Sequence, residues 1–195
     1  MRKAGSVLAE ALLCAMVSNV WSVARNEFHV RRRPSGQPYL TSPPEIPLPS
    51  VSLSHSRGWV ACAASMTGPV GIDVEVPRPG RPIAEIARFA FGPGERRRVA
   101  EMGEAGFYRI WTLREALAKA TGAGLPLVSD GIDRFETGPE TGIWAGEIDG
   151  ATWQVGHQII PTGAAPLHLA TARLSHDPNL AGAIELWRWD GFLGM

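Results

Sequence analysis

The chain has 195 residues, 45% of them hydrophobic and 19% charged, with a formal net charge of zero. This composition excludes an intrinsically disordered chain and is that of a globular protein long enough to bury a proper core. The charge is unevenly distributed: residues 1–58 hold seven Lys and Arg against three Asp and Glu, so the first third suits an anionic ligand. No nucleic-acid partner is expected.

The two cysteines, Cys14 and Cys62, each lie within an apolar run. Neither has a second Cys or a His at metal-site spacing, so we expect two buried free thiols in a reducing, cytoplasmic compartment. No apolar run approaches the ~20 residues of a membrane span, and no membrane partner is expected.

The N-terminal segment has two interpretations. A basic pair followed by an apolar stretch is typical of a signal peptide, but Glu10 interrupts that stretch. We therefore expect residues 4–23 to form an amphipathic first helix. Its apolar face would carry Leu8, Leu12 and Ala15.

The next segment is basic and rich in turn-forming residues. It reads RRRPSGQPY from Arg31 to Tyr39, and its prolines and glycine interrupt regular structure. Residues 41–50 contain four prolines, too many for a helix or an inner strand, and predict an extended surface connection.

Two strands are predicted after this connection. Val51–Ser56 alternates apolar and polar residues, and Trp59–Ala64 is a short apolar run. Arg57-Gly58 between them is typical of a hairpin turn. A further turn leads into Val70–Glu75, and three adjacent antiparallel strands are the simplest arrangement.

The stretch Val70–Glu75 suggests a cation site. Its apolar and polar residues alternate with the period of a half-buried strand. Asp73 and Glu75 then share one face about 7 Å apart, close enough to bind one hard cation. The alternative is two solvated acids on an exposed face, although like charges there repel each other.

Three helices are predicted between this strand and residue 122. They cover 83–90, 95–104 and a longer stretch through 107–119 that ends near Thr121-Gly122. In the long helix, Glu115 and Lys119 lie one turn apart at the edge of the apolar stripe. They are either an ordinary surface pair or part of a site.

Arg114 lies near the centre of the same apolar stripe. A buried guanidinium without a partner is prohibitive, so we expect a carboxylate partner that the sequence does not identify.

Short strands are predicted for the rest of the chain. They cover 132–136, 143–148, 153–160, 167–172 and 183–190. Helices interleaved with antiparallel strands make the fold class α+β.

Ser54 and His55 could form a nucleophile pair or a phosphate contact. A nucleophile pair needs spatial contact, and no nucleophile elbow, P-loop or dinucleotide fingerprint occurs in the chain. A histidine at a strand end serves equally well to contact phosphate. The other histidines show no metal-ligand spacing; they are His29, His157, His168 and His176.

Four motifs in order resemble the 4′-phosphopantetheinyl transferases of the Sfp type. They are S-G-Q-P-Y-L from Ser35, S-L-S-H-S-R-G-W-V-A-C-A from Ser52, G-I-D-x-E from Gly71, and W-T-x-R-E-A-x-x-K-A-x-G from Trp111. The match covers residues 35–125, and the remaining strands fit the family's second lobe more loosely.

This resemblance implies a fold and a reaction. The family has two pseudo-twofold-related lobes, each a small antiparallel sheet packed with helices, here 1–65 and 66–195, with coenzyme A and magnesium between them. It transfers the 4′-phosphopantetheine arm of coenzyme A to a serine of an acyl- or peptidyl-carrier protein and releases adenosine 3′,5′-bisphosphate. We expect a monomer.

The matching positions assign roles to individual residues. The magnesium ligands would be Asp73, Glu75 and Glu115. The coenzyme A site would comprise Ser35, Gly36, Gln37, Pro38, Ser54, His55 and Lys119. Glu115 would also take the proton of the carrier serine, directly or through water, and Lys119 would contact the pyrophosphate.

Three departures from the family pattern matter. Gln37 and Arg114 each stand where the family usually has lysine. The family also has several dozen residues before the first helix, which carry basic contacts to the 3′-phosphate of coenzyme A. Basic residues at 2–3 and 31–33 could replace those contacts; otherwise coenzyme A would bind weakly.

Two other functions use the same residues. One is a binding module of this fold that holds carrier proteins or coenzyme A without catalysis, which the short N-terminus and Gln37 favour. The other is a metal-dependent phosphohydrolase that uses the three carboxylates.

Overall fold

The computed structural model describes residues 4–124, 135–137, 143–163 and 165–175. Its helices are α1 (Ala4–Trp21), α2 (Ile83–Ala90) and α3 (Pro93–Thr121). Its strands are β1 (His29–Arg32), β2 (Pro38–Thr41), β3 (Ser50–Ser56), β4 (Trp59–Ser65), β5 (Val70–Glu75), β6 (Glu136–Thr137), β7 (Ile143–Ile148), β8 (Ala151–Ile160) and β9 (Leu167–Leu174).

These strands form three antiparallel sheets within the described residues. Two are the hairpins β1-β2 and β3-β4, and the third has the order β5-β9-β8-β7-β6. The predicted α+β class, with helices packed on small antiparallel sheets, is confirmed. Residues 132–134 and the predicted strand 183–190 lie outside the described residues, as does His176.

Helix α1 packs on the β3-β4 hairpin, but with a different face from the predicted one. Its buried residues are Ala9, Leu13, Cys14 and Val17, whereas Leu8 is exposed. The prediction was wrong because α1 is apolar around most of its circumference, so periodicity did not select a side. By length and composition alone α1 could cross a membrane, a property that core helices and signal sequences share.

The basic segment after α1 contains a hairpin that the sequence did not predict. Strands β1 and β2 pair from His29–Thr41 to Arg32–Pro38. Arg32 holds this hairpin against α1, since its Nη2 lies 2.7 Å from Glu10 Oε1. Polar side chains and two prolines hid the strands from pattern analysis.

Strand β5 does not continue the β3-β4 hairpin, which corrects the prediction of three adjacent strands. It pairs with β9 instead. Three serine hydroxyls of β3 accept amide hydrogen bonds from β5 and the residue after it, in place of backbone carbonyls: Ser52 from Ile72 (3.1 Å), Ser54 from Val74 (3.2 Å) and Ser56 from Val76 (3.3 Å). This serine column joins the β3-β4 hairpin to the five-stranded sheet that contains β5.

The other face of β5 lies against α3 rather than solvent. A Cβ added to Gly71 would lie 1.9 Å from the Ala116 carbonyl oxygen. Only glycine permits this approach. Asp73 is buried beneath the helix, so the alternative of two solvated acids on an exposed strand is wrong.

Helix α3 breaks at Gly103, where φ is 63° and ψ is −139°. The break separates the short and long helices that the sequence predicted. The helix ends at Gly122, whose left-handed φ of 71° gives the expected C-terminal stop.

The carboxylate partner of Arg114 is Glu95, on the other side of this break. Arg114 Nη1 donates to Glu95 Oε1 at 3.1 Å and to Oε2 at 2.9 Å. Both residues are almost fully buried, at 3% and 0% exposure. Glu95 also accepts a hydrogen bond from the Gly92 amide and so caps the helix.

We expect Gly71→Ala to lower the free energy of unfolding by at least about 3 kcal/mol, because the new methyl group overlaps backbone rather than a mobile side chain. Urea titration followed by circular dichroism would measure the loss. Gly163→Ala is the control, since nothing lies within 4 Å of its added Cβ. Equal stability of the two variants would contradict the close approach.

Removal of the Arg114 charge should destabilise the fold by about 3–5 kcal/mol, because the buried carboxylate of Glu95 loses the guanidinium that it pairs with. The test is urea unfolding of Arg114→Met against Arg96→Met, which removes an exposed charge from the same helix. If the two substitutions lower the free energy of unfolding equally, the buried Arg114–Glu95 pair does not stabilise the fold as its geometry indicates.

Candidate active site

The approach of α3 to β5 brings the two sequence motifs together. Lys119 Nζ donates to Asp73 Oδ1 at 2.7 Å and to the Ile72 carbonyl oxygen at 3.1 Å. The interpretation of Glu115 and Lys119 as an ordinary surface pair is therefore wrong. The ammonium group of Lys119 pairs with the strand carboxylate.

Asp73 is held from both sides and still has a free oxygen. Its Oδ1 also accepts a hydrogen bond from Ser54 Oγ at 2.8 Å. Its Oδ2 is buried and has no hydrogen-bond partner among the described residues. Burial raises the pKa of this carboxyl, although Lys119 and Ser54 oppose the rise.

Glu75, two residues further along the same face, has different partners. Its Oε2 accepts from Ser56 Oγ at 3.0 Å, and its Oε1 lies 3.6 Å from Arg81 Nη1. The Arg81 guanidinium also lies over three aromatic rings of α3, those of Phe107, Tyr108 and Trp111. No sequence pattern pointed to Arg81, which stands in a proline-glycine turn.

Glu115 completes the cluster from the helix. Its carboxylate has no hydrogen bond or ion pair among the described residues. Burial is the largest effect that raises its pKa, and repulsion from Asp73 and Glu75 raises it further. Lys119 and Arg81 act in the opposite direction. Three acids and two bases thus share one electrostatic environment.

This arrangement leaves two carboxylates without sufficient positive charge. The side chains as they stand form no closed group of three or more potential metal ligands within the described part of the chain. The partnerless Asp73 Oδ2 and the Glu115 carboxylate are nevertheless the hard oxygen donors that a divalent cation prefers. The residues therefore fit such a cation.

Ser54 and His55 do not act together in this structure. As neighbours on a strand they point to opposite faces. Ser54 is buried against β5, whereas His55 is exposed and packs on the other side, next to Gly5 of α1. Of these two residues, Ser54 is the one that contacts the charged cluster.

The turn between β1 and β2 lies beside the end of α3. Gln37 Nε2 donates to the Lys119 carbonyl oxygen at 3.0 Å. Ser35 and Gly36 are exposed at the same turn, and Pro38 is half-buried. The predicted coenzyme A segment is thus brought to the helix end that carries Lys119.

Two histidines beneath α3 were not singled out from the sequence. His157 Nε2 lies 3.2 Å from His168 Nδ1, and His168 is opposite Glu75 in the β5-β9 register. Burial, with the charges of His168 and Arg109, lowers the pKa of His157 to about 3. The two histidines come together only because β8 pairs with β9, and the sequence does not show which strands pair.

The fold and this cluster define an α+β protein with a buried carboxylate–lysine site between a strand and a helix. The family model of the 4′-phosphopantetheinyl transferase superfamily matches residues 69–172, more than half of the chain. The chain therefore belongs to this superfamily, and its relatives make it Sfp-like.

Three bacterial relatives illustrate this similarity. The chain is 27% identical to the 4′-phosphopantetheinyl transferase Sfp of Bacillus subtilis (strain 168), over 64% of this chain and 55% of the relative. It is 33% identical to a second 4′-phosphopantetheinyl transferase of Bacillus subtilis, over 49% and 42%. It is 31% identical to the 4′-phosphopantetheinyl transferase psf-1 of Bacillus pumilus, over 67% and 54%. The matches span about half the length of these relatives.

The lowered pKa of His157 predicts a loss of stability in mild acid. Between pH 7 and pH 5 the unfolded chain protonates this histidine at its ordinary pKa of 6.5, and the folded chain does not until about 3. Stability is therefore lost as the pH falls, by at most about 2 kcal/mol from this group. Urea titrations at the two pH values would measure the change in the free energy of unfolding. The His157→Gln variant should lose less stability than the unaltered chain, and an equal loss in the two proteins would contradict the prediction.

Proposed function

We propose that this chain transfers the 4′-phosphopantetheine arm of coenzyme A to a serine hydroxyl of an acyl- or peptidyl-carrier protein. The charged cluster of Asp73, Glu75, Glu115 and Lys119 is the observation that carries the proposal. It occupies the motif positions shared with the family and lies in the matched region. The relatives' names support the same reaction class.

The transfer forms one phosphorus–oxygen bond and breaks another. The carrier serine oxygen attacks the phosphorus next to the pantetheine, the bond to the adenosine 3′,5′-bisphosphate breaks, and the bisphosphate leaves with the electron pair. Such transfers need positioning and neutralisation of charge more than covalent help from the protein.

Glu115 is the proposed base for the serine proton, directly or through water. A carboxyl with a raised pKa holds a proton more readily than an ordinary one, which favours this role. In the same scheme Lys119 exchanges part of its contact with Asp73 for the pyrophosphate. Ser54 keeps Asp73 in place through its hydroxyl.

Magnesium is the proposed cation, held by Asp73, Glu75 and Glu115. When bound, it would neutralise charge that develops on the pyrophosphate oxygens. The partnerless Asp73 Oδ2 supports this assignment. Glu75 is the ligand that must first loosen its contacts with Arg81 and Ser56.

Coenzyme A is proposed to lie along the turn from Ser35 to Pro38, above the end of α3. Gln37 supports this placement because its amide already contacts the Lys119 carbonyl. We propose that the protein acts as a monomer in the cytoplasm.

The second candidate is a binding module that holds a carrier protein or coenzyme A without transfer. The contacts of Lys119 with Asp73 and of Arg81 with Glu75 favour it, because both cations occupy carboxylates needed for the metal. Calorimetry that shows carrier binding without turnover would support this candidate.

The decisive test is modification of an apo carrier protein. With magnesium and coenzyme A, we expect the chain to add about 340 Da to the carrier, the mass of one phosphopantetheine group. Asp73→Asn should reduce the rate by at least about a hundredfold, because the metal loses a ligand and Lys119 its partner. Asp149→Asn, at an exposed turn, is the isosteric control.

The outcome separates the candidates. No mass shift with any of several carriers would overturn the transferase proposal. Release of pantetheine phosphate without a carrier would instead identify a phosphohydrolase. Full activity of Asp73→Asn would remove Asp73 from the site, provided that circular dichroism shows the variant to be folded.

A further inference from the structure

A cavity of about 170 Å³ lies in the elbow of α3, away from the charged cluster. Arg98 and Met102 line it from the segment before the break at Gly103, and Arg109 and Leu113 line it from the segment after the break. Trp144 of β7 and Val155 of β8 close it from the sheet. The cavity shares no lining residue with the candidate active site.

The interior of this cavity is apolar and well buried. Leu113 is 1% exposed, Trp144 8% and Val155 1%. Engineered apolar cavities of ~150 Å³ bind benzene, so the space holds a group of about that size. Arg98 and Met102 at the mouth are exposed, which gives a ligand a route of entry.

Arg109 adds a charged group with unused donors. Its guanidinium carbon lies 4.5 Å from the centre of the Trp144 ring. A guanidinium that stacks on a ring keeps its in-plane N–H groups available, in the fork that matches a carboxylate. Among the described residues Arg109 makes no hydrogen bond or ion pair.

Arg109 is affected by the positive charge of Arg98, within the part of the chain that the structure describes. Burial lowers its pKa, and the charge of Arg98 lowers it further. Arg109 in turn helps to lower the pKa of His157. Arg114, five residues further along the same helix, has the carboxylate of Glu95 as its counter-ion, whereas Arg109 has no ion pair within the described part of the chain.

We propose that this cavity binds a small monocarboxylate with an aromatic or branched aliphatic body, about the size of benzoate. The apolar body would occupy the space between Leu113, Trp144 and Val155. The carboxylate would accept two hydrogen bonds from Arg109, with Arg98 beside it at the mouth. The inference does not depend on the proposed transferase activity.

Benzoate is the probe, and the indole N–H signal of Trp144 in the ¹⁵N-labelled full chain is the readout. A Trp144→Phe variant assigns that signal. We expect a saturable shift with benzoate and at least about tenfold weaker binding of benzyl alcohol, which keeps the ring and lacks the charge. This comparison needs no variant that alters the fold.

Arg109→Met should weaken benzoate binding at least about tenfold, and Arg109→Lys, which keeps the charge without the planar fork, should weaken it less. Arg97→Met, on the same helix but outside the cavity lining, should bind as the unaltered chain does. Three results would overturn the proposal: no saturable shift, equal affinity for benzyl alcohol, or unchanged binding by Arg109→Met. Any of them would leave the Arg109–Trp144 contact as a structural stack only.

Discussion

The contact between Gly71 and the Ala116 carbonyl is the constraint on which the candidate active site depends. It sets a strand and a helix closer than any side chain would allow, and it fixes their register. Asp73 lies two residues along the strand and Lys119 three residues along the helix, so the same contact determines their 2.7 Å separation. Glu115 is the neighbour of Ala116. The position of Gly71 therefore determines where the acids of β5 meet Glu115 and Lys119 of α3.

The serine column of β3 is a second constraint, and it acts on the same carboxylates. Ser54 accepts the Val74 amide and donates to Asp73, so one hydroxyl fixes both the backbone of β5 and a side chain of the site. Ser56 does the same for Val76 and Glu75. A backbone ladder would have aligned the strands without touching the acids. Because hydroxyls take the place of that ladder, the junction between the β3-β4 hairpin and the five-stranded sheet is coupled to the geometry of the site.

The sequence predicted the elements better than their partners. The bounds of β5, the break before the long helix and its end at Gly122 follow from local signals, and the charged cluster follows from motif spacing. Local signals do not predict the contacts of Arg81, the histidine pair or the pairing of β5 with β9. Each of these depends on residues brought together from distant parts of the chain. Alternation showed that Asp73 and Glu75 share a face, but not that a helix covers it. The apolar circumference of α1 likewise concealed which side is buried.

Buried charges in this protein are either compensated within the fold or left in need of a ligand. Arg114 and Glu95 are compensated: both are buried, they belong to one helix, and they hold its two segments together across a break. Asp73 Oδ2 has no hydrogen-bond partner among the described residues, although Asp73 Oδ1 pairs with Lys119. The Glu115 carboxylate and the Arg109 guanidinium make no hydrogen bond or ion pair with the same residues. Because uncompensated burial costs free energy that packing must offset, a ligand of opposite charge is the simplest source of that compensation. This reasoning supports the proposed cation site at the two acids and the separate, proposed anion site at the arginine.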